Sequence, residues 1–400
     1  MPSSLTWLDF SEHERRQAER IIALFEDKGT VDQLGVGTIR DAIADLLFPG
    51  ASVIQTRARY FLFIPWAYLS LERSKVPAAE FGARAQRNER RLIRALLDAG
   101  ETTGVIGRVA GERVKILPSA IYWQGLGTWG IRRFSGSQRQ YHRWVDRYYR
   151  LLGAAVQTDD KDLVDGVAPR NWHPGIPPAR EGFPEGAALA LTRAEAEYLR
   201  ERICLTCQGT MLAFLVRDGK PAEPTEGPWM HPQLAELPVR VRQILEHGRV
   251  FSDVMHGAAL LYNLMLARAK QDEERVAEYE ADFATWATET AAMGGELRQW
   301  SENSLWALLD GASARIPEPT RRFVTSWFTL ARAATPQLAD QADALRLLRE
   351  RERLLKGALA RLENQRALDL WRGASGVQPL TYRWPVVQDI VGDIHQGLAR

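Results

Sequence analysis

The sequence predicts a mainly α-helical protein built as two units, and three observations predict it. Apolar residues recur at helical spacing along most of the chain, from Ala18, Ile21, Ile22 and Phe25 to Leu345, Leu348, Leu355, Leu359 and Leu362. Segments with the alternation of a strand are short and few. A stretch rich in Asp, Pro and Gly, residues 157–190, separates two helical regions. The expected organisation is an N-terminal unit over 1–156, a crossing segment over 157–190 that Trp172 and Phe183 pack down, and a C-terminal bundle over 191–400. Four hundred residues are enough for two such cores.

Each element has a local reason. Ser11 with Glu14 three residues on is a capping box that opens a helix ending at Lys28-Gly29. Thr38 or Asp41 can cap Ile39–Phe48, and Pro49-Gly50 turns the chain. A strongly apolar helix is expected over Ser52–Glu72, kinked at Pro65. Pro77 opens a helix through Leu97 that stops at Gly100, and Pro118 suits a first helical position. The region 85–135 is expected to form a small winged-helix-like α+β element of helix, turn, helix and β-turn. A further helix begins at Ser137. Thr192 with Glu195 is a second capping box, opening a helix to about Thr206. Helical pattern follows from Val239 to Thr290 with a break near Gly257, then over 336–372, and a last helix starts at Val386.

Composition bounds the function. Charged residues make up 26% and apolar residues 45%, ordinary for a globular protein. Two cysteines, Cys204 and Cys207, are too few for a disulfide framework and fit a reducing compartment. The start of the chain lacks a signal-peptide pattern, and the most apolar run, Tyr60 to Leu71, is too short to span a bilayer. The expectation is a cytoplasmic protein with no membrane partner. Charge is uneven: residues 57–150 hold eighteen Lys or Arg against seven Asp or Glu, a net +11 within a chain of +2. Such a block points to a polyanion.

Within the block, Arg87, Arg91 and Arg94 share a helix face. Arg132 and Arg133 precede a second stripe, Arg139, Arg143, Arg147 and Arg150, beside Tyr141, Trp144 and Tyr148. Guanidinium stripes can track phosphates, and Tyr141 and Trp144 can stack on bases if the strand is single. The competing reading is an amphipathic helix with its aromatics in the core and its arginines in water. Arg57 and Arg59 lead the apolar helix, where they oppose the helix dipole. They would either meet an anion or acidic partner, or pair internally with Asp41, Asp45 or Glu72.

Other chemistry is thinly signalled. Cys204-Leu-Thr-Cys207 has the spacing of half a zinc site but no second pair, and small residues packed on a helix explain it more simply. Arg249, Asp253, His256 and Asn263 form a polar seam on one helix face, either lining a pocket or fixing helix register. Phosphate loops, a nucleophile elbow and a His-Glu-x-x-His motif do not occur. No catalytic residue, metal ligand or cofactor is assigned. Asp41, Asp45 and Glu72 are the carboxylates that a metal-dependent nuclease would need.

Trp7-Leu-Asp-Phe-Ser-Glu, Leu34-Gly-Val-Gly-Thr-Ile-Arg-Asp41, Leu47-Phe-Pro-Gly50, Ile54-Gln-Thr-Arg-Ala-Arg-Tyr-Phe61 and the terminal Thr381-Tyr-Arg-Trp384 together resemble an uncharacterised bacterial family known as a domain of unknown function. The resemblance runs from about residue 5 to residue 398. It implies a context of restriction-type and anti-phage gene clusters, with helicases, phospholipase-D-like nucleases or methyltransferases as partners. It transfers no catalytic residue. The function expected is a non-catalytic DNA-binding or adaptor subunit of a multi-protein phage-defence complex. The rivals are a protein scaffold docked on a helicase or nuclease, and a metal-dependent nuclease.

Overall fold

The computed structural model describes residues 32–157, 170–312 and 314–400. The helix expected over 11–28 lies outside them. The described chain is mainly helical, in order α1 (Gly37–Leu47), α2 (Tyr60–Arg73), α3 (Ala78–Asp98), α4 (Pro118–Thr128), α5 (Gln138–Gln157), α6 (Arg193–Thr206), α7 (Met211–Asp218), α8 (Val239–Lys270), α9 (Glu273–Ala292), α10 (Gly294–Gln299), α11 (Glu302–Gly311), α12 (Glu318–Ala331), α13 (Ala342–Lys356), α14 (Gln365–Asp369) and α15 (Trp384–Leu398). It divides into two compact units, one of Met1–Ala42 with Glu246–Leu380 and one of Ile43–Leu245 with Thr381–Arg400. Residues 170–190 belong to the second unit.

Among the described residues there is no strand, only one antiparallel bridge between Arg132 and Trp172. The winged-helix-like element over 85–135 is therefore absent. Its place is taken by the end of α3, a 3-10 turn at Gly111–Arg113, and α4. A wing needs a hairpin, and the glycines of this stretch serve as turns instead: Gly104, Gly107 and Gly111 all adopt positive φ.

The local signals that held are those that satisfy orphan backbone groups. Thr192 accepts from the Glu195 N–H while Glu195 accepts from the Thr192 N–H, the full capping box of α6. Pro118 is the first residue of α4. Helix α3 buries Phe81, Ala85, Glu89, Leu92, Ile93 and Leu96, one stripe at helical spacing. It ends where Gly100 takes φ +81°, a left-handed geometry costly for any residue with a Cβ. Others moved. Asp32, not Thr38 or Asp41, caps α1 by accepting from Val36 N (2.8 Å) and Gly37 N (2.6 Å). Helix α2 starts at Tyr60, so Arg59 is its N-cap residue and Arg57 lies in the loop before it. The pattern over 336–372 is not one helix, because Gly357 turns the chain at φ +53°.

The second unit has an aromatic core. Phe61 stacks on Trp129 at 3.8 Å, and Tyr68 meets Phe81, Trp123, Tyr141 and Trp172 with ring centroids 5.5–5.7 Å apart. Edge-on and offset packing of this kind adds to the burial of large rings. The first unit is built around α8, which is long and apolar enough to cross a membrane, but 83% of its most apolar window is buried. Helix α8 runs through Gly257 without the expected break. The glycine is there for close approach: a Cβ at 257 would fall 2.1 Å from the Trp286 ring. The polar seam on α8 is internal wiring. Arg249 pairs with Asp253 and Glu296, and Asn263 exchanges hydrogen bonds with the Ser375 backbone at 2.8–2.9 Å.

Candidate nucleic-acid interface

All of the basic block lies in the second unit, and its arginines fall into two populations. The first is internal. Arg57 grips Asp393 of α15 in a fork, with Nη2–Oδ1 at 2.6 Å and Nε–Oδ2 at 2.9 Å, and Asp393 also accepts the Ala58 N–H at 2.9 Å. This carboxylate raises the Arg57 guanidinium above its ordinary value. Arg59 donates to Glu195 (2.7 Å) and to the Ala188 carbonyl (2.8 Å), and lies over the rings of Phe63 and Trp66. Both therefore pair internally, but with Asp393 and Glu195 rather than Asp41, Asp45 or Glu72. The expected anion or partner contact at Arg57 and Arg59 is already met inside the fold.

Arg132 is also internal, at 8% exposure. Its Nε and Nη2 donate to the Trp123 carbonyl (3.3 and 3.2 Å), its Nη1 to the carbonyls of Gly136 (3.1 Å) and Phe134, and its carbon sits 4.7 Å from the Trp123 ring centre. Burial without a carboxylate lowers its pKa to about 10. Tyr141 is fully buried. Its hydroxyl donates to Glu72 and accepts from Trp172 Nε1 (2.9 Å), while Asn171 Nδ2 donates to Glu72 (2.8 Å). Neither Arg132 nor Tyr141 can reach a nucleic acid, because Tyr141 lies on the core side of α5 and Arg132, ahead of that helix, is folded in behind Trp123.

The second population faces solvent. Arg87, Arg91 and Arg94 on α3, Arg133 before α5, and Arg139, Arg143, Arg147 and Arg150 on α5 are exposed. Of these, Arg91 bonds Glu185 at 2.6 Å with both side chains more than 60% exposed, a pair of small energetic weight. No carboxylate among the described residues pairs with Arg87, Arg133, Arg139, Arg143, Arg147 or Arg150. Trp144 is half-buried, with the Arg147 guanidinium 5.1 Å from its ring centre, so one face of the ring is already covered.

The two helical stripes do not merge. Helices α3 and α5 pack together through Gly82 against His142, Phe81 against Tyr141, and the Ala78 N–H on Asp146. At about 100° per residue, Arg91 stands roughly half a turn around α3 from Gly82, so the α3 stripe points away from α5. On α5 the stripe of Arg139, Arg143 and Arg147 lies about 60–140° from His142, on the solvent side.

Sequence reading missed a buried polar chain behind this stripe. Glu89 accepts from Ser119 N and Oγ, both at 2.7 Å, Gln138 donates to Ser119 Oγ and Tyr68 Oη, and Tyr68 Oη lies 3.2 Å from His142 Nε2. Burial raises Glu89 to about 7 and lowers His142 to about 4. It missed as well a groove of about 700 Å³ lined by Gly175, Tyr198, Arg200, Glu201, Cys204 and Arg217. Its only local signal was the Cys-x-x-Cys spacing. Burial pushes both thiols up, which works against a nucleophile, and Cys207 is 3% exposed. The nuclease carboxylates are not gathered either: Glu72 is held by Tyr141 and Asn171, and Asp45 by Arg383. Among the described residues no three His, Cys, Asp or Glu side chains cluster as metal ligands would.

A family model described as a family of unknown function, DUF6361, matches residues 2–397. No curated protein and no solved structure matches the chain.

Proposed function

Given that the chain belongs to the family of unknown function DUF6361, we propose from its own surface that it is a non-catalytic nucleic-acid-binding or adaptor subunit of a multi-protein bacterial phage-defence system. The observation that carries this reading is the stripe Arg139, Arg143, Arg147 and Arg150, exposed along roughly 16 Å of α5 and matched by no carboxylate among the described residues. Long charged side chains left unpaired on a rigid helix suit phosphates, which take charge-assisted hydrogen bonds without base-specific geometry. Arg87 and Arg94 extend the positive field on another face. The defence setting and its helicase, nuclease or methyltransferase partners come from the family resemblance alone.

Anisotropy of a labelled 5′-hydroxyl oligonucleotide, titrated with the purified full chain, tests the reading. Affinity should fall log-linearly with salt, with a slope of about −0.9 per phosphate neutralised, so about −3 for three to four contacts. Replacing Arg139, Arg143 and Arg147 with Ala should remove most of that slope. Absence of binding at low salt would leave the stripe as a dock for an acidic protein. Plasmid kept with Mg²⁺ or Mn²⁺ should stay intact, and cleavage would overturn the non-catalytic assignment.

A further inference from the structure

Residues 131–134 run antiparallel to 171–173. Arg133 N–H donates to the Asn171 carbonyl and His173 N–H to the Ile131 carbonyl, both at 2.8 Å, around the bridged pair Arg132 and Trp172. Arg132, Asn171 and Trp172 turn inward, at 8%, 4% and 3% exposure, whereas Arg133 is exposed and His173 half-buried; the two are diagonal neighbours across the bridge, about 7–8 Å apart along the backbone. Arg202 of α6 arrives at the same place. Its Nη1 lies 3.2 Å from His173 Nε2, and its Nε donates to the Trp129 carbonyl at 3.2 Å, which fixes the guanidinium plane.

No carboxylate among the described residues pairs with Arg133 or Arg202. Elsewhere in this unit Arg57 and Arg59 are compensated by carboxylates, and Arg132 by three carbonyls. Arg202 touches the imidazole and Arg133 stands near enough to act on it electrostatically, and two such positive charges repel one another unless an anion joins them. The cluster borders the groove, because the His173 ring lies 5.7 Å from the ring of Tyr198. The Tyr198 hydroxyl is buried with no hydrogen-bond partner, in a side chain 6% exposed overall, a second unmet group beside the first.

We propose that Arg133, His173 and Arg202 form a binding site for a phosphate monoester, with the adjoining groove receiving the rest of the ligand. Two guanidiniums flanking one imidazole match a terminal dianionic phosphate better than the single charge of a chain-internal diester. A groove of about 700 Å³ suits a ligand of nucleotide size. The charged and titratable groups around His173 are Arg202 and Glu201 on α6, Arg133, and Tyr198. Burial and the two arginines hold the imidazole below its ordinary value, and a dianion between them reverses the arginines' effect. This site uses none of the α5 stripe, so it stands apart from the proposed function.

Calorimetric titration of the full chain with inorganic phosphate, deoxyadenosine 5′-monophosphate and deoxyadenosine tests it. Both phosphates should bind, deoxyadenosine at least about tenfold more weakly than its monophosphate, and Arg133→Ala and Arg202→Lys should each weaken the monophosphate by roughly tenfold. A tighter monophosphate than inorganic phosphate assigns the site to a nucleotide, and equal binding assigns it to free phosphate. The His173 titration, followed by NMR, should move up on adding phosphate. Replacing Arg139 and Arg143 with Ala should leave monophosphate binding unchanged. The proposal is overturned if deoxyadenosine binds as well as its monophosphate, if Arg133→Ala binds like the parent, or if the α5 substitutions remove binding.

Discussion

Arg132 and Arg139 stand seven residues apart in the same basic tract and do opposite work. Arg132 spends its donors on the carbonyls of Trp123, Phe134 and Gly136 and is folded into the aromatic core. Arg139, at the start of α5, is exposed and pairs with no carboxylate among the described residues. The same division separates Arg57 and Arg59, locked to Asp393 and Glu195, from Arg143 and Arg147. Net charge along a sequence therefore says little about a surface until each guanidinium's acceptor is known. Replacing an arginine should destabilise the protein where it is internal and change binding where it is external.

The largest expected break of that contrast is at Asp393, 6% exposed, which neutralises Arg57 and accepts the Ala58 N–H. Asp393→Ala leaves a half-buried guanidinium and an amide unmet together, and should cost about 3 kcal/mol in chemical denaturation. A loss below about 1 kcal/mol would mean that water replaces the carboxylate at no cost, and that Arg57 belongs with the external set.

The buried Glu89 sharpens the contrast through pH. Burial raises it from an ordinary 4.5 to about 7, so the fold favours the protonated acid. Its contribution is complete below pH 4.5 and is lost as pH climbs to about 7, an effect of up to about 3 kcal/mol. His142 acts in the other direction: burial lowers it from 6.5 to about 4, so its contribution is present above pH 6.5 and fades as pH falls toward 4. Glu89→Gln should remove the first dependence and keep the second. Its stability relative to the parent should rise by about 2–3 kcal/mol between pH 4.5 and pH 7.5. An unchanged difference across that range would show that Glu89 ionises in the fold without penalty.

The elements legible in the sequence are those whose cause is local. The Thr192–Glu195 box, Pro118 at the head of α4 and the stripe of α3 each follow from residues within a turn or two. What was illegible depends on distant partners. Arg57 meets a carboxylate 336 positions away, and no pattern around residue 57 encodes Asp393. The aromatic-basic alternation of α5 was readable as two stripes, yet which stripe is core depends on Glu72, Asn171 and Trp172 standing behind Tyr141. The winged element failed for a related reason: turn glycines at 104, 107 and 111 satisfy a hairpin and a string of turns equally well. The groove beside His173 was not readable at all, because its walls come from residues 175–177 and 194–217.

A smaller effect is expected at Tyr141, where the two readings of α5 met. Tyr141→Phe removes the donor to Glu72 and the acceptor for Trp172 Nε1, and should cost about 1–2 kcal/mol by thermal unfolding. Affinity for single-stranded oligonucleotide should not change, since the ring is fully buried. A drop in that affinity without loss of stability would place the ring in contact with bases and undo the division.

The smallest effect on stability is expected at the external stripe, and there the form of the response is the informative part. Replacing Arg139, Arg143 and Arg147 by Lys together should shift unfolding by no more than about 0.5 kcal/mol, because none of the three has an acceptor to lose. Lys keeps the charge but not the planar fork. If the stripe acts through phosphate neutralisation, the salt slope measured by anisotropy should stay within about one tenth of the parent's and affinity within about threefold. If it acts by bidentate docking on an acidic protein surface, affinity for that partner should fall by about tenfold or more while the modest oligonucleotide affinity persists. The lysine series therefore separates two kinds of external arginine, just as the alanine at position 393 separates external from internal.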